Sequence, residues 1–255
     1  MPAEPADPEF MLSLAKGLAV LRCFADQRRP LTIVAATELT RFSRASVRRC
    51  LHTLVQLGYL RQENASFSLT PSVLALGYAF LSSDALADVA QPLLDRLAAR
   101  IGESCSLGVL EADEVCYLAR SETTRIMSIA LRVGSRLPLY CTSMGRVLLA
   151  HMAAPERLAY LDRTPLTALT AHTITERHTL LDLLDAVKAQ GFAIVDQELE
   201  IGLRSIAVPA FNRAGDVIGA LNIGTQSVRV SIPQLEDSHL PALRKAAEEL
   251  RRYGV

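Results

Sequence analysis

Two adjacent arginines, Arg48 and Arg49, stand in a stretch where Val47, Leu51, Leu54 and Val55 keep the i, i+4, i+7, i+8 spacing of one buried helical stripe. The helix predicted from Ser43 to Leu57 therefore turns Arg48, Arg49, His52 and Gln56 outward, beside small polar Ser46 and Thr53 and no acidic residue. Cations without acids on an exposed helix suit a groove lined by phosphates and base edges. Side-chain cations neutralise phosphates, and one guanidinium can read guanine through two hydrogen bonds.

The elements around this helix are those needed to present it. A shorter helix, Thr32 to Leu39, opens on the N-cap Thr32 and offers Ile33, Val34, Ala36 and Leu39 for packing. Thr40, Arg41 and Phe42 make the turn between the two. After Gly58, a helix C-cap, Tyr59 to Gln62 and Ser66 to Leu69 alternate as strands around Glu63-Asn64-Ala65, forming a wing. A first helix, Ser13 to Ala25, is expected to set Leu14, Leu18, Leu21 and Cys23 or Phe24 against this pair. The pattern is a winged helix-turn-helix, with Thr32, Ser43, Arg44, Ala45, Ser46, Arg48, Arg49, His52 and Arg61 as the residues placed to meet double-stranded DNA. Any surface helix can carry two arginines, so the charge context matters. Residues 11–70 hold nine Lys or Arg against three Asp or Glu, whereas residues 84–255 hold 18 against 21. A net charge of zero thus hides a basic end, the footprint of a tethered DNA reader.

At 255 residues, half of them apolar, the chain has material for two domains. Its longest apolar runs fall far short of the roughly 20 residues of a membrane helix, so no membrane partner is expected. Residues 1–10, acidic and proline-rich, lack the pattern of a signal peptide and read as a disordered lead-in to a cytoplasmic protein. Five cysteines with no C-x-x-C pair imply neither a disulfide framework nor a tight zinc site.

The DNA reader is expected to occupy 11–83, ending at the polar Ser82-Ser83-Asp84. A linker helix follows over 84–101, where Leu86, Val89, Ala90, Leu93, Leu94, Leu97, Ala98 and Ile101 keep helical spacing and Pro92 should kink the helix or start a new one. In 102–255, Ser104 to Leu110 and Val115 to Arg120 read as a hairpin, and Ile126 to Val133 as a third strand. Further strands are predicted over Phe192 to Val195, Leu203 to Phe211 and Val217 to Gly224. Helices are predicted over Thr142 to Met152, Pro155 to Leu161, Leu180 to Gln190 and Pro233 to Tyr253. Locally paired strands with interspersed helices indicate an α+β domain with an antiparallel sheet.

That second domain carries no G-x-S-x-G, H-E-x-x-H, P-loop or G-x-G-x-x-G motif. Cys141 could be paired on paper with His151, His172 or His178, but no spacing supports it, and neither a catalytic residue nor a cofactor is assigned. Asp196, Glu198 and Glu200 alternate as if on one face of a strand, a solvated face rather than a metal site. The start of the Thr142 helix is the better candidate. Its free backbone N–H groups and dipole can hold a small carboxylate, although ordinary capping alone explains Thr142 and Ser143.

From Ser13 to Val255 the chain resembles the IclR-type transcriptional regulators. The resemblance rests on Ser13-Leu-Ala-Lys-Gly-Leu-Ala-Val-Leu21, Ser43-Arg-Ala-Ser-Val-Arg-Arg49, Leu54-Val-Gln-Leu-Gly-Tyr59 and Thr70-Pro-Ser-Val-Leu-Ala-Leu-Gly77. It continues through Thr142-Ser-Met-Gly-Arg-Val-Leu-Leu-Ala150 and Gly202-Leu-Arg-Ser-Ile-Ala-Val-Pro209. Gly134 to Arg146 and Val195 to Arg204 look most like the subgroup governing the β-ketoadipate pathway, the Pca and Pob type.

The resemblance implies a GAF-like effector domain, a homodimer or dimer of dimers, and an aromatic or keto carboxylate effector such as protocatechuate, 4-hydroxybenzoate or β-ketoadipate. It places the effector against Ser143, Met144 and Gly145, then Leu203 and Ser205, then Asn222 and Gly224, with Leu131 in the apolar wall; Arg136 is a further carboxylate candidate, and a surface ion pair explains it equally well. A metabolic enzyme or small-molecule carrier with a DNA-binding module is the rival reading.

Overall fold

The computed structural model describes residues 8–25, 27, 29–76, 85–122 and 131–253, and it divides into two compact units, 1–83 and 84–255. The expected boundary at Ser82 to Asp84 lies outside the described residues.

In the first unit, α1 (Leu12–Arg22), α2 (Ile33–Thr40) and α3 (Arg44–Gln56) precede a hairpin of β2 (Leu60–Glu63) and β3 (Ser66–Leu69). A short strand, β1 (Leu31–Thr32), adds to β3, so the wing is a three-stranded sheet in the order β1-β3-β2, one strand more than the sequence pattern showed. The expected cap forms, with Thr32 Oγ1 accepting from Ala35 N at 3.2 Å, and Ser43, read from the sequence as the first residue of α3, caps it instead, its Oγ accepting from Ser46 N at 3.3 Å. The core gathers Val20, Phe24, Leu31, Ala36, Val47, Leu51, Leu54, Leu60 and Phe67. Leu14 and Leu18, expected in it, are exposed, as are Val34 and Leu39. α1 is apolar on two sides, and the core takes the Val20–Phe24 side. Residues 72–76 form a further helical turn (α4).

The second unit opens with α5 (Ala85–Ile101), which runs unbroken through Pro92. Proline forfeits one backbone hydrogen bond, but buried Leu86, Ala90, Leu93, Leu94 and Leu97 hold the helix down on both sides of it. α5 is thus a packed element of this unit. The sheet follows from β4 (Ser104–Glu111), β5 (Glu114–Ser121), β6 (Arg136–Pro138), β7 (Ala193–Asp196), β8 (Leu203–Phe211) and β9 (Val217–Gln226). It is fully antiparallel in the order β6-β5-β4-β9-β8-β7. Residues 126–130 of the anticipated third strand lie outside the described residues, and 131–133 form no strand; the pairing partner of β5 is β6.

Helix α6 (Ser143–His151) covers one face of the sheet with α8 (Arg177–Gln190) packed against it, while α5 and α10 (Leu240–Arg252) pack on the other. α7 (Ala154–Arg163) follows α6. The final helical stretch begins as α9 (Ile232–Gln234) and passes through a π-helical turn at Leu235–His239 before α10, where a single straight helix was expected. Two glycines permit close approaches. A Cβ at Gly108 would meet Val115 Cγ1 at 2.6 Å and Met144 Sδ at 2.9 Å, and one at Gly145 would meet the Leu139 carbonyl oxygen at 2.2 Å. Only hydrogen at these positions lets α6 settle onto β4 and onto the segment that leads into it.

Candidate functional site

On the first unit, α3 buries Val47, Leu51 and Leu54 and leaves Arg44, Ala45, Arg48, Arg49 and His52 exposed. Among the described residues, none of Arg44, Arg48 and Arg49 has a carboxylate within 4.0 Å, so their charge is available to an external anion. Ser43 and Thr32 are committed to capping, and Ser43 Oγ also donates to Ser46 Oγ at 3.1 Å. Arg61, on the wing, lies 3.4 Å from Glu63.

The second unit holds a cavity where α6 meets the sheet. On β4, Ser104 and Ser106 share a face, and their register partners on β9 are Gly224 and Asn222. Gly224 in turn faces Ser205 on β8. Leu131, Leu203, Ser205, Asn222 and Gly224 line the cavity together with Ser143 and Met144 from the start of α6. Gly145 does not. Its N–H is taken by Thr142 Oγ1 at 3.2 Å, and its missing side chain admits Leu139. Among the described residues this leaves the N–H groups of Ser143 and Met144 as the uncommitted donors of the first turn.

Arg136 is elsewhere. It sits on β6, pairs with Glu111 and lies 3.7 Å from Glu114, with its side chain 38% exposed. Two carboxylates at the β4–β5 hairpin account for it, and it does not line the cavity. The arginine that does is Arg120, which the sequence pattern missed. In β5, Tyr117 pairs with Gly108 and Ala119 with Leu107, so Leu118 is an extra residue in the ladder. This bulge flips the alternation, and Arg120, paired with Ser106, arrives on the same face as Tyr117. Its Nη1 donates to Ser106 Oγ at 3.1 Å and its Nη2 lies 3.9 Å from Glu122.

Among the described residues, three buried polar atoms of the lining have no hydrogen-bond partner: Arg120 Nε, Ser143 Oγ and Asn222 Oδ1. Buried polar groups are ordinarily paired, because an unpaired one costs on the order of 1–3 kcal/mol. Three around one space mark a site that pairs them with something else. Leu131, Leu137, Met144, Leu199 and Leu203 supply apolar walls. The cavity volume is about 30 Å³, small beside the roughly 150 Å³ of a cavity that admits benzene. A ring therefore enters only by displacing side chains, and the unbranched Met144 is the most adaptable of them.

Neighbouring groups fix what chemistry is absent. Burial, then Glu198, push the Cys141 thiol up to about 12, so it stays protonated at neutral pH and is no nucleophile. Asp196, Glu198 and Glu200 do not form one strand face. β7 ends at Asp196, which Arg204 holds at 2.8 Å, and Glu198 turns inward to Arg146 Nη2 at 2.6 Å. Among the described residues, no three His, Cys, Asp or Glu side chains gather as a metal site. No helix among them is long and apolar enough to cross a membrane.

Residues 13–64 match the IclR helix-turn-helix domain and 78–252 the bacterial transcriptional regulator IclR C-terminal domain. The chain is 48% identical over 245 residues to the Pca regulon regulatory protein of Pseudomonas putida, covering 96% of this chain and 84% of that one. The inducer-binding domain of an Acinetobacter PobR transcription factor, a double mutant in complex with 3-hydroxybenzoic acid, superposes with a TM-score of 0.63 at 38% identity, covering 66% of this chain and 98% of that one. An IclR homologue from Microbacterium hydrocarbonoxydans complexed with 4-hydroxybenzoate matches with a TM-score of 0.80 at 28% identity, over 94% and 98% of the two chains.

Proposed function

Because this chain belongs to the IclR family of bacterial transcriptional regulators, we propose that it controls genes of aromatic-acid breakdown by binding operator DNA through α3 and a hydroxybenzoate-type carboxylate in the α6 cavity. The observation that carries the effector assignment is the set of three unpartnered buried atoms, Arg120 Nε, Ser143 Oγ and Asn222 Oδ1, around one apolar-walled space. A carboxylate placed between Arg120, Ser143 and the first-turn N–H groups of α6 gains charge-assisted hydrogen bonds and a favourable helix dipole. A ring hydroxyl donates to Asn222 Oδ1, and Ser205 offers it a second partner. Met144, Leu131 and Leu203 take the ring. The hydroxybenzoates bound by two structural relatives support this chemistry.

The regulator acts in the cytoplasm as a dimer or dimer of dimers, so that two α3 helices reach half-sites about 34 Å apart. Calorimetry with 4-hydroxybenzoate and 3,4-dihydroxybenzoate, beside the uncharged 4-hydroxybenzyl alcohol, tests the assignment. The acids are expected to bind and the alcohol to bind at least about tenfold more weakly, the difference one charge-assisted contact makes. Equal binding of acid and alcohol would remove the carboxylate from the model. Turnover of the acid would favour the enzyme reading.

A further inference from the structure

The backbone of Arg120 is held as specifically as its side chain. On the outer side of β5, β6 pairs with Glu114 to Cys116, and Tyr117 exchanges hydrogen bonds with Ser135 O at 2.9 Å and Gly134 N at 2.7 Å. Beyond the Leu118 bulge, Gln91 of α5 takes over this edge. Arg120 N donates to Gln91 Oε1 at 3.2 Å, and Gln91 Nε2 donates to Arg120 O at 3.0 Å. One carboxamide thus occupies the place of a neighbouring strand, satisfying both backbone groups of a single residue. Gln91 Nε2 also donates to Asp95 Oδ1 at 2.9 Å, which braces the amide along its own helix.

The placement matters more than the two bonds. Arg120 is the cation of the effector cavity, and α5 is the first described element after the boundary between the two units. We propose that Gln91 is a positioning residue that couples effector occupancy to DNA binding by tying the Arg120 backbone to α5. An anion drawing on Arg120 Nε shifts the guanidinium, the bulged strand beside it yields, and the amide clamp carries the shift into the helix. An edge cap alone would need only that Gln91 be present. A coupling element requires that its loss separate two properties that the wild-type chain links.

This inference rests on the carboxylate reading of the cavity, and the experiment keeps the two apart. The full-length Gln91→Ala and Gln91→Glu variants are compared with wild type in two measurements. One is calorimetric affinity for 4-hydroxybenzoate or 3,4-dihydroxybenzoate, whichever the wild type binds. The other is affinity for DNA flanking the gene, with and without that acid. For Gln91→Ala, effector affinity is expected to stay within about threefold of wild type, while the effector's influence on DNA affinity falls by at least about fivefold, the lower end of ordinary coupling. Gln91→Glu keeps an acceptor for Arg120 N, loses the donor to Arg120 O, and is expected to fall between the two. It decides the matter if Gln91→Ala does not fold. Wild-type coupling in a folded variant would overturn the role of Gln91. Failure of the wild type to bind either acid would instead overturn the effector reading.

Discussion

Two arginines of the effector domain, Arg146 fully buried and Arg120 part-buried, are treated by the protein in opposite ways. Arg146, in the second turn of α6, is 1% exposed; its Nε donates to Tyr140 O at 3.0 Å and its Nη2 to Glu198 Oε2 at 2.6 Å. That same carboxylate oxygen accepts from Ile174 N at 3.0 Å, and Thr173 Oγ1 donates to Glu198 O at 2.7 Å. The pair ties α6 to the segment between β7 and β8. Among the described residues Arg120 has a serine hydroxyl and a distant carboxylate, with Nε unpartnered. A completed buried ion pair organises the fold, and an incomplete one leaves a donor for a ligand.

The largest effect that would break this comparison comes from Arg146. Arg146→Met strands the Glu198 carboxylate without its cation, and removing one partner of a buried pair costs about 3–5 kcal/mol. Urea unfolding should show that loss, and the double replacement Arg146→Met with Glu198→Leu should recover part of it because no charge is then left unpaired. A single variant as stable as wild type would mean that the pair is dispensable and that the contrast with Arg120 is false.

Arg120→Met reverses the expectation. The fold loses little, because the guanidinium was not fully used. The lost charge-assisted contact weakens binding of 4-hydroxybenzoate by about 1.5–3 kcal/mol, or roughly ten- to a hundredfold. Calorimetry reads the affinity and thermal unfolding reads the stability. A variant that unfolds as readily as Arg146→Met yet still binds the acid would make Arg120 a structural residue.

This contrast was only half legible in the sequence. The caps at Thr32 and Thr142, the stripe of α3 and the hairpin of the wing are local events, and local spacing predicted them. So were Ser143, Met144, Leu203, Ser205, Asn222 and Gly224, because the resemblance named the segments that line the cavity. Arg120 escaped because one inserted residue, Leu118, inverts the strand's alternation, and nothing in a single sequence marks where a bulge will fall. Glu198 misled in the other direction. Spacing of two imitated a strand, but β7 stops at Asp196, and Gln197, at φ +61°, turns the chain so that Glu198 points inward. Leu14 and Leu18 failed for a third reason: a helix apolar on two sides does not say which side its own core will take.

The same criterion of complete against incomplete pairing extends to the DNA-reading surface, where effects are of similar or smaller size. Arg48 has no acidic partner among the described residues, whereas Arg61 lies 3.4 Å from Glu63 with both side chains more than 60% exposed. Arg48→Ala should cost about 1–3 kcal/mol in operator binding and relax specificity at one base pair if the contact is to guanine. Arg61→Ala should cost less than about 1 kcal/mol, because the exposed pair already screens that charge. Mobility shifts on operator and scrambled DNA measure both. Equal losses would remove pairing as a guide to which cations read DNA.

The smallest effect below pH 9 comes from Cys141, which adjoins both regions, lining the cavity while its thiol feels Glu198. Burial first and the Glu198 charge second hold the thiol at about 12, against 9.0 for the free group. The folded state thus favours the protonated form. The associated stability is fully present below pH 9 and is lost as the pH climbs from 9 toward 12. Cys105 and Tyr117, both also pushed to about 12 mainly by burial, act with the same sign. Iodoacetamide at pH 8 should therefore leave Cys141 and Cys105 unmodified in the folded chain while the half-buried Cys23, Cys50 and Cys116 react faster. Melting temperature should hold to about pH 9 and then decline. Rapid alkylation of Cys141 at pH 8 would mean that water reaches the floor between Arg146 and the cavity, and the two arginines would then share one solvated space rather than occupy two distinct environments.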